Sequence, residues 1–262
     1  MKSFAHRQKT GIRYHLLDEI RGFAIICMVF FHGFYLLGYV FNLSAGQTLF
    51  DFFNPAQPFF AGAFIFISGI CCRFSHSNAK RGGILLAVSL ALTAATTGLS
   101  ELDIGVDEII LFGILHFLAT AMLLFALLRR LFDKIPPLTQ IPLFIFLFLL
   151  FWNVQSGRLG IGLFSVQLPN IVTDSVFLYP LGLHSALFFS ADYFPVFPWL
   201  FLFLCGSAFG IYANRGKFPR FAAASHSRPL QFVGRNSLVI YLFHQPVLYL
   251  IILGIQTMLG KK

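Results

Sequence analysis

The segment Leu17–Tyr39, LDEIRGFAIICMVFFHGFYLLGY, constrains this chain more than any other. It is an apolar run of membrane length that nevertheless carries Asp18, Arg21 and His32. At 1.5 Å and 100° per residue, the eleven-residue step from Arg21 to His32 covers about 16 Å on nearly one helix face. Asp18, Arg21, Ile25, Met28, His32 and Tyr35 therefore form one stripe. A helix that only anchored in lipid would have no use for a histidine in its outer half. An ionisable residue within a span marks a functional-site hypothesis.

The remainder of the chain shares the apolar character. It is 57% hydrophobic and 11% charged over 262 residues. Soluble domains carry about a quarter charged residues, so the composition predicts an integral membrane protein. The 35 phenylalanines agree, since lipid tolerates them where water does not. Cys27, Cys71, Cys72 and Cys205 all lie in apolar runs and read as packing residues, not a disulfide framework. The first run is too long for a signal peptide and lacks a small-residue exit, so it reads as an uncleaved span.

Length and apolarity place seven spans, at about 17–39, 55–73, 83–100, 108–131, 138–154, 195–213 and 232–258. The predicted fold is an all-α integral membrane protein, a polytopic bundle of about seven transmembrane helices in one domain. Residues 1–16 read as a basic cytoplasmic tail. Residues 155–194, which hold Arg158, Asn170, Asp174 and Asp192, read as an extracytoplasmic or partly re-entrant loop.

The net charge of +9 is topological and does not indicate nucleic acid. Lys2, Arg7, Lys9, Arg13 and Arg21 gather on one set of span ends with Arg73, Lys80, Arg81, Arg129, Arg130, Lys134, Arg215, Lys217, Arg220, Arg228 and Arg235. The opposite set holds Arg158, Lys261 and Lys262 beside the acidic Glu101, Asp103, Asp107 and Glu108. The positive-inside rule then predicts a cytoplasmic N-terminus and an extracytoplasmic C-terminus, in the cell membrane. Small residues predict close helix approach at Gly206/Gly210, Ala91/Ala95, Ala94/Gly98 and Gly62/Gly69. No internal repeat of the transporter kind is visible.

Three histidines fall within spans: His32, His116 and His244. Each could be a neutral imidazole bonded to a neighbouring helix, or a catalytic group. Pro246 cannot donate to the Leu242 carbonyl, so a kink and a freed acceptor are expected near His244. No HxxH or HxxxH pair occurs and no carboxylate accompanies these histidines, which argues against a metal. At the basic ends, Arg73, Ser75, Lys80 and Arg81 follow the second span, and Arg235, Asn236 and Ser237 open the seventh. Arginine, serine and helix N-termini suit phosphate oxygens, although positive-inside anchoring alone would also explain the charge. On the outer side, Asp192, Tyr193 and Trp199, in DYFPVFPW, read as an interfacial aromatic belt or as the wall of an acceptor site.

LDEIRGFAIICMVFFHGFY resembles the LDxxRGxxxxxMxxxH opening of bacterial relatives of the heparan-alpha-glucosaminide N-acetyltransferase catalytic domain, within the transmembrane acyltransferase superfamily. PFFAGAFIFISGICCRFSHSNAKRG, ILFGILHFLATAMLL, DYFPVFPWLFLFLCGSAFG and GRNSLVIYLFHQPVL resemble that family's later blocks in the same order. Most of the chain outside 135–190 is covered.

The resemblance implies acetyl or acyl transfer from cytoplasmic acyl-CoA to an amine or hydroxyl of an extracytoplasmic, glycan-type acceptor. Arg21, Arg73, Ser75, Lys80, Arg81, Arg235, Asn236 and Ser237 would hold the CoA phosphates. The pantetheine arm would follow the first helix, whose rise of about 16 Å from Arg21 to His32 is comparable to its reach. His32 would be the general base, a role typically worth 10²–10⁴ in rate. Tyr35, His116 and His244 are candidate donors to the oxyanion, and an acyl-histidine intermediate on His32 is the alternative chemistry. Tyr35, Asp192, Tyr193 and Trp199 would face the acceptor. Membrane lipid surrounds the protein, and a second copy is a candidate partner. One departure stands out: the family often places an acid four residues after the first-helix histidine, where this chain has Leu36, leaving Asp51 or Asp192 as substitutes. The rival readings are a non-catalytic membrane binding or assembly protein of the same fold, and a proton-coupled transporter or channel-like protein using the three histidines.

Overall fold

A computed structural model of the chain describes residues 13–102, 108–173, 175–185 and 187–259. Expectations resting on Lys2, Arg7, Lys9, Asp103, Asp107, Asp174, Lys261 and Lys262 lie outside the described residues.

Helices dominate, as they must where lipid offers the backbone no hydrogen bonds. In chain order the main elements are α1 (His15–Tyr35), α2 (Ser44–Phe53), α3 (Gln57–Cys72), α4 (Asn78–Glu101), α5 (Ile114–Phe132) and α6 (Pro137–Leu150). After them come the strands β1 (Arg158–Ile161) and β2 (Phe164–Gln167), then α7 (Asn170–Thr173), α8 (Val196–Asn214), α9 (Arg220–Ala223), α10 (Arg228–Arg235) and α11 (Ser237–Met258). Among the described residues, seven helical stretches are long and apolar enough to cross a membrane: His15–Val40, Ser44–Cys72, Asn78–Glu101, Ile114–Phe132, Pro137–Ser156, Val196–Asn214 and Ser237–Met258. Phe23, Phe30, Phe59 and Leu127 are each more than half exposed along these stretches. Such surfaces are sustainable in lipid and not in water.

Several span boundaries move. The fourth span does not begin at 108, because that segment pairs with another stretch of chain. Ala191 N–H donates to the Ile109 carbonyl at 3.0 Å, and Gly113 and Tyr193 form an antiparallel bridge. The seventh does not begin at 232. Asn236 breaks it, separating α10 from α11. Within 155–194 the chain forms an antiparallel hairpin, with Arg158 opposite Gln167, followed by short helical turns.

The chain divides into two compact units, Met1–Ile67 with Gly216–Lys262, and Ser68–Arg215; α3 runs from the first into the second. In the first unit, α1 continues as a π-helix over Leu36–Val40, where Phe41 N–H donates to the Leu36 carbonyl at 2.9 Å. The wider turn is tied to α2 by Gln47 Nε2, which donates to the Gly38 carbonyl at 3.0 Å. At the other end of α1, α10 packs against Gly22, whose missing side chain makes room for the Leu230 carbonyl. Glu19 is 4% exposed, yet its carboxylate is fully used. It accepts from His226 N–H at 2.7 Å, Ser227 N–H at 2.9 Å and Gln231 Nε2 at 2.8 Å, which anchors the start of α10.

In the second unit, Gly69 accommodates the Phe203 carbonyl and Gly210 faces the Ile70 carbonyl, so the small residues of α8 do admit α3 closely. The other expected pairs fare differently. Gly98 has nothing within 4 Å of where a Cβ would stand, and Ala91, Ala94 and Ala95 are exposed. That face of α4 meets nothing among the described residues.

Candidate functional site

Two of the three span histidines come together. His32, on α1, and His244, on α11, have ring centroids 5.1 Å apart in the first unit. His244 is buried, and its Nδ1 lies 2.6 Å from the Tyr241 carbonyl of its own helix. A carbonyl only accepts, so Nδ1 carries the proton and Nε2 keeps a bare lone pair. That Nε2 is buried and has no hydrogen-bond partner among the described residues. The proline-bearing turn thus supplies an acceptor, but it is the Tyr241 carbonyl that His244 uses. His32 is met by the next residue along α11. Gln245 Nε2 lies 3.2 Å from His32 Nδ1. Sequence periodicity passes over Gln245 because it lies 100° from His244 on α11; its adjacency to His244 and Pro246 was the available signal.

His116 belongs elsewhere. It occupies the first turn of α5 in the second unit, where its Nδ1 accepts from Gly113 N–H at 3.2 Å. Thr93 gives its hydroxyl proton to the Ile110 carbonyl at 2.6 Å, so His116 Nε2–H donates to Thr93 Oγ1 at 3.1 Å. Both ring nitrogens are committed, which leaves none for an oxyanion.

The residues expected at the phosphates fall into three groups. Arg21 and Arg235 converge with Arg13 on Asp18, at 3.8, 3.5 and 2.8 Å. Three guanidinium groups around one carboxylate leave an excess of positive charge in the first unit. Asn236 is exposed and donates to the Phe232 carbonyl at 2.8 Å; Ser237 opens α11. Lys80 and Arg81 are exposed in the first turn of α4, which Ser77 caps by accepting Lys80 N–H at 3.2 Å. Arg73 does not join them. It is 6% exposed, pairs with Asp133, donates from Nε to the Ser207 carbonyl at 3.0 Å and lies over the Phe125 ring at 4.9 Å. Burial pushes its guanidinium down from the usual arginine range, and Asp133 pushes back. Ser75 Oγ is also buried. These two side chains are turned into the protein, where an incoming phosphate would have to displace existing packing.

The expected acceptor wall is likewise occupied. Asp192 Oδ2 accepts from Ile114 N–H at 3.2 Å and so caps α5. Tyr193 donates its hydroxyl to the Tyr179 carbonyl; burial pushes its phenol up. Trp199 is buried against Phe194, Phe148 and Trp152. Tyr35 has a different setting. On the His32 stripe it stacks on Tyr39 at 5.3 Å, and Phe50 stands edge-on to both rings. Tyr39 donates to Asp51 Oδ1 at 3.2 Å, so of the two substitutes for an acid at Leu36, Asp51 is the one in the unit that holds His32.

On the opposite face of α1, Phe23, Cys27, Phe30 and Phe34 line an apolar groove of about 580 Å³ with Phe59 and Phe60. It contains no acid, base or cation and offers no chemistry. Among the described residues, no three His, Cys, Asp or Glu side chains are grouped to hold a metal ion.

A family model described as heparan-alpha-glucosaminide N-acetyltransferase, catalytic, matches residues 13–246. Comparison with curated proteins and with solved structures returned no match. The matched range contains both members of the His32–His244 pair, Gln245 and the Arg13–Arg21–Arg235 group.

Proposed function

Because the chain belongs to the family of the heparan-alpha-glucosaminide N-acetyltransferase catalytic domain, we propose that it moves an acetyl or other acyl group from acyl-CoA to an amine or hydroxyl of a glycan-type acceptor across the membrane. The family is a transferase family, and seven membrane-length helices give the transfer a bilayer to cross. The observation that carries the reading is the His32–His244 pair, two imidazoles with centroids 5.1 Å apart on membrane-length helices. A neutral imidazole whose lone pair is not engaged by a donor can take a proton. His244 Nε2 has no hydrogen-bond partner among the described residues, which is the condition of a waiting base.

The donor enters from the cytoplasmic side, where the N-terminus lies. Arg13, Arg21 and Arg235, gathered around Asp18, attract the CoA phosphates. The thioester reaches the histidine pair along α1, and the acceptor approaches past Tyr35, Tyr39 and Asp51. Aromatic faces beside a carboxylate suit a sugar ring, whose C–H face stacks and whose hydroxyls donate.

Acetyl-CoA binding and turnover by the purified full chain in detergent test the reading. The expected result is saturable binding, weakened in Arg235→Ala, with thioester cleavage lost in His244→Ala and His32→Ala while binding persists. Failure of acetyl-CoA to bind would overturn it, as would full turnover in the double histidine variant.

A further inference from the structure

We infer that Gln245 is a positioning residue that sets the proton on His32, so that His244 is the base of the acyl transfer and His32 its hydrogen-bond donor. The inference rests on the acyl-transfer reading above. Its basis is the pattern of hydrogen bonds around two neutral imidazoles. A neutral imidazole has one N–H and one lone pair, so fixing one nitrogen fixes the other. For His244 the Tyr241 carbonyl does the fixing, at 2.6 Å from Nδ1, and Nε2 is left bare. For His32 the Gln245 amide does it with the opposite sign. Its Nε2 donates to His32 Nδ1 at 3.2 Å, which places the His32 proton on Nε2. The Tyr241 carbonyl and the Gln245 amide, four residues apart on α11, therefore give the pair complementary ends, one lone pair and one N–H. Were both rings in the same tautomer, the pair would offer two bases or two donors, and one half of the chemistry would be missing.

The step then balances without further groups. The acceptor N–H or O–H donates to His244 Nε2, and its heteroatom attacks the thioester carbonyl carbon. The new C–N or C–O bond forms as the proton moves to His244, and the carbonyl electron pair collects on oxygen. His32 Nε2–H donates to that oxyanion. Collapse breaks the C–S bond, and the His244 imidazolium returns the proton to the departing sulfur. Acylated acceptor and free CoA thiol leave, and both histidines regain their starting tautomers.

Nitrogen-15 NMR of histidine-labelled full chain in detergent tests the assignment, with signals identified by their loss in His32→Gln and His244→Gln. Pyrrole-type and pyridine-type nitrogens resonate far apart. The wild type is expected to show His32 with its proton on Nε2 and His244 with its proton on Nδ1. In Gln245→Glu the carboxylate only accepts, so the His32 proton should move to Nδ1. The kcat for acetyl-CoA cleavage should then fall about 10²-fold, the size of losing one oxyanion donor, with KM for acetyl-CoA unchanged. Gln245→Leu, which neither donates nor accepts, should fall between the two. A wild-type His32 protonated on Nδ1 would overturn the inference, as would Gln245→Glu at wild-type kcat. The wild-type spectrum decides even if Gln245→Glu does not fold. A protein with the expected tautomers that never binds acetyl-CoA would fail the acyl-transfer reading instead.

Discussion

Gly22 of α1 and Gly234 of α10 each occupy space that the other helix's backbone would otherwise lose. A Cβ on Gly22 would strike the Leu230 carbonyl and stand 3.1 Å from Gly234 N; one on Gly234 would strike the Asp18 carbonyl and stand 3.0 Å from Gly22 N. Backbone cannot yield as a flexible side chain can. Gly22→Ala and Gly234→Ala should therefore each destabilise the protein by about 2–3 kcal/mol, the upper range for overpacking. Thermal unfolding in detergent reads this directly. An unchanged midpoint in either variant would contradict the contact.

This contact shows why the motif LDEIRG was only half legible. Its helical stripe was readable from spacing, and so were seven spans and a close helix approach at Gly210, though not that α3 is the partner there. Glu19, one position off the stripe, gave no signal, because its partners His226, Ser227 and Gln231 lie more than two hundred residues away in sequence. The same limit explains Arg73 and Asp192. Composition places a charge at a membrane boundary, but cannot say that Asp133 or Ile114 N–H will claim it. Charge alone looks identical whether it faces a ligand or a helix end. The Asn236 break was missed for a local reason: Phe232 and Val233 of α10 read as the start of the apolar run of α11, and Gly234, two residues before the break, was the one available signal.

Arg73 offers a test that separates structure from cofactor binding. Its side chain is 3% exposed and its partner Asp133 is 45% exposed, so breaking the pair should cost about 2–4 kcal/mol, below the figure for a fully buried pair. Arg73→Ala should lower stability, and its folded fraction should bind acetyl-CoA with wild-type affinity. Arg235→Ala should do the reverse. Titration of both variants with acetyl-CoA checks the contrast. Weakened binding in stable Arg73→Ala would return that arginine to the phosphate site.

His116 and His244 are both buried, yet their substitution should have opposite consequences. His116→Leu strands Gly113 N–H and removes a donor from Thr93, at a cost of about 1–3 kcal/mol for a buried unsatisfied group. Turnover per folded molecule should stay near wild type. His244→Leu replaces a ring whose Nε2 has no partner to lose, so stability should change less while turnover collapses. Unfolding midpoints measured beside acetyl-CoA cleavage resolve the two. Equal loss of turnover in folded His116→Leu would place that ring in the chemistry.

The proposed acceptor side rests on Tyr39 and Asp51. Tyr39 stacks at 5.3 Å on Tyr35, which lies three residues beyond His32 on the same stripe, so the aromatic pair stands roughly one helical turn beyond the histidine, a distance that one or two sugar rings span. Asp51 Oδ1 holds the Tyr39 hydroxyl at 3.2 Å, and the exposed carboxylate can also accept from a sugar hydroxyl. Asp51→Asn keeps an oxygen for Tyr39 and loses the charge. Hydrogen bonds to charged groups are worth about 1.5–3 kcal/mol, so KM for a sugar acceptor such as glucosamine should rise about ten- to a hundred-fold. Cleavage of acetyl-CoA in the absence of acceptor should not change, because the histidine pair is untouched. Tyr39→Phe should have a smaller effect of the same sign, since it frees the carboxylate but leaves the aromatic face. Transfer to labelled glucosamine, measured against acceptor concentration, distinguishes this from a general defect. Wild-type KM in both variants would remove Tyr39 and Asp51 from the acceptor site and leave the acceptor bound elsewhere.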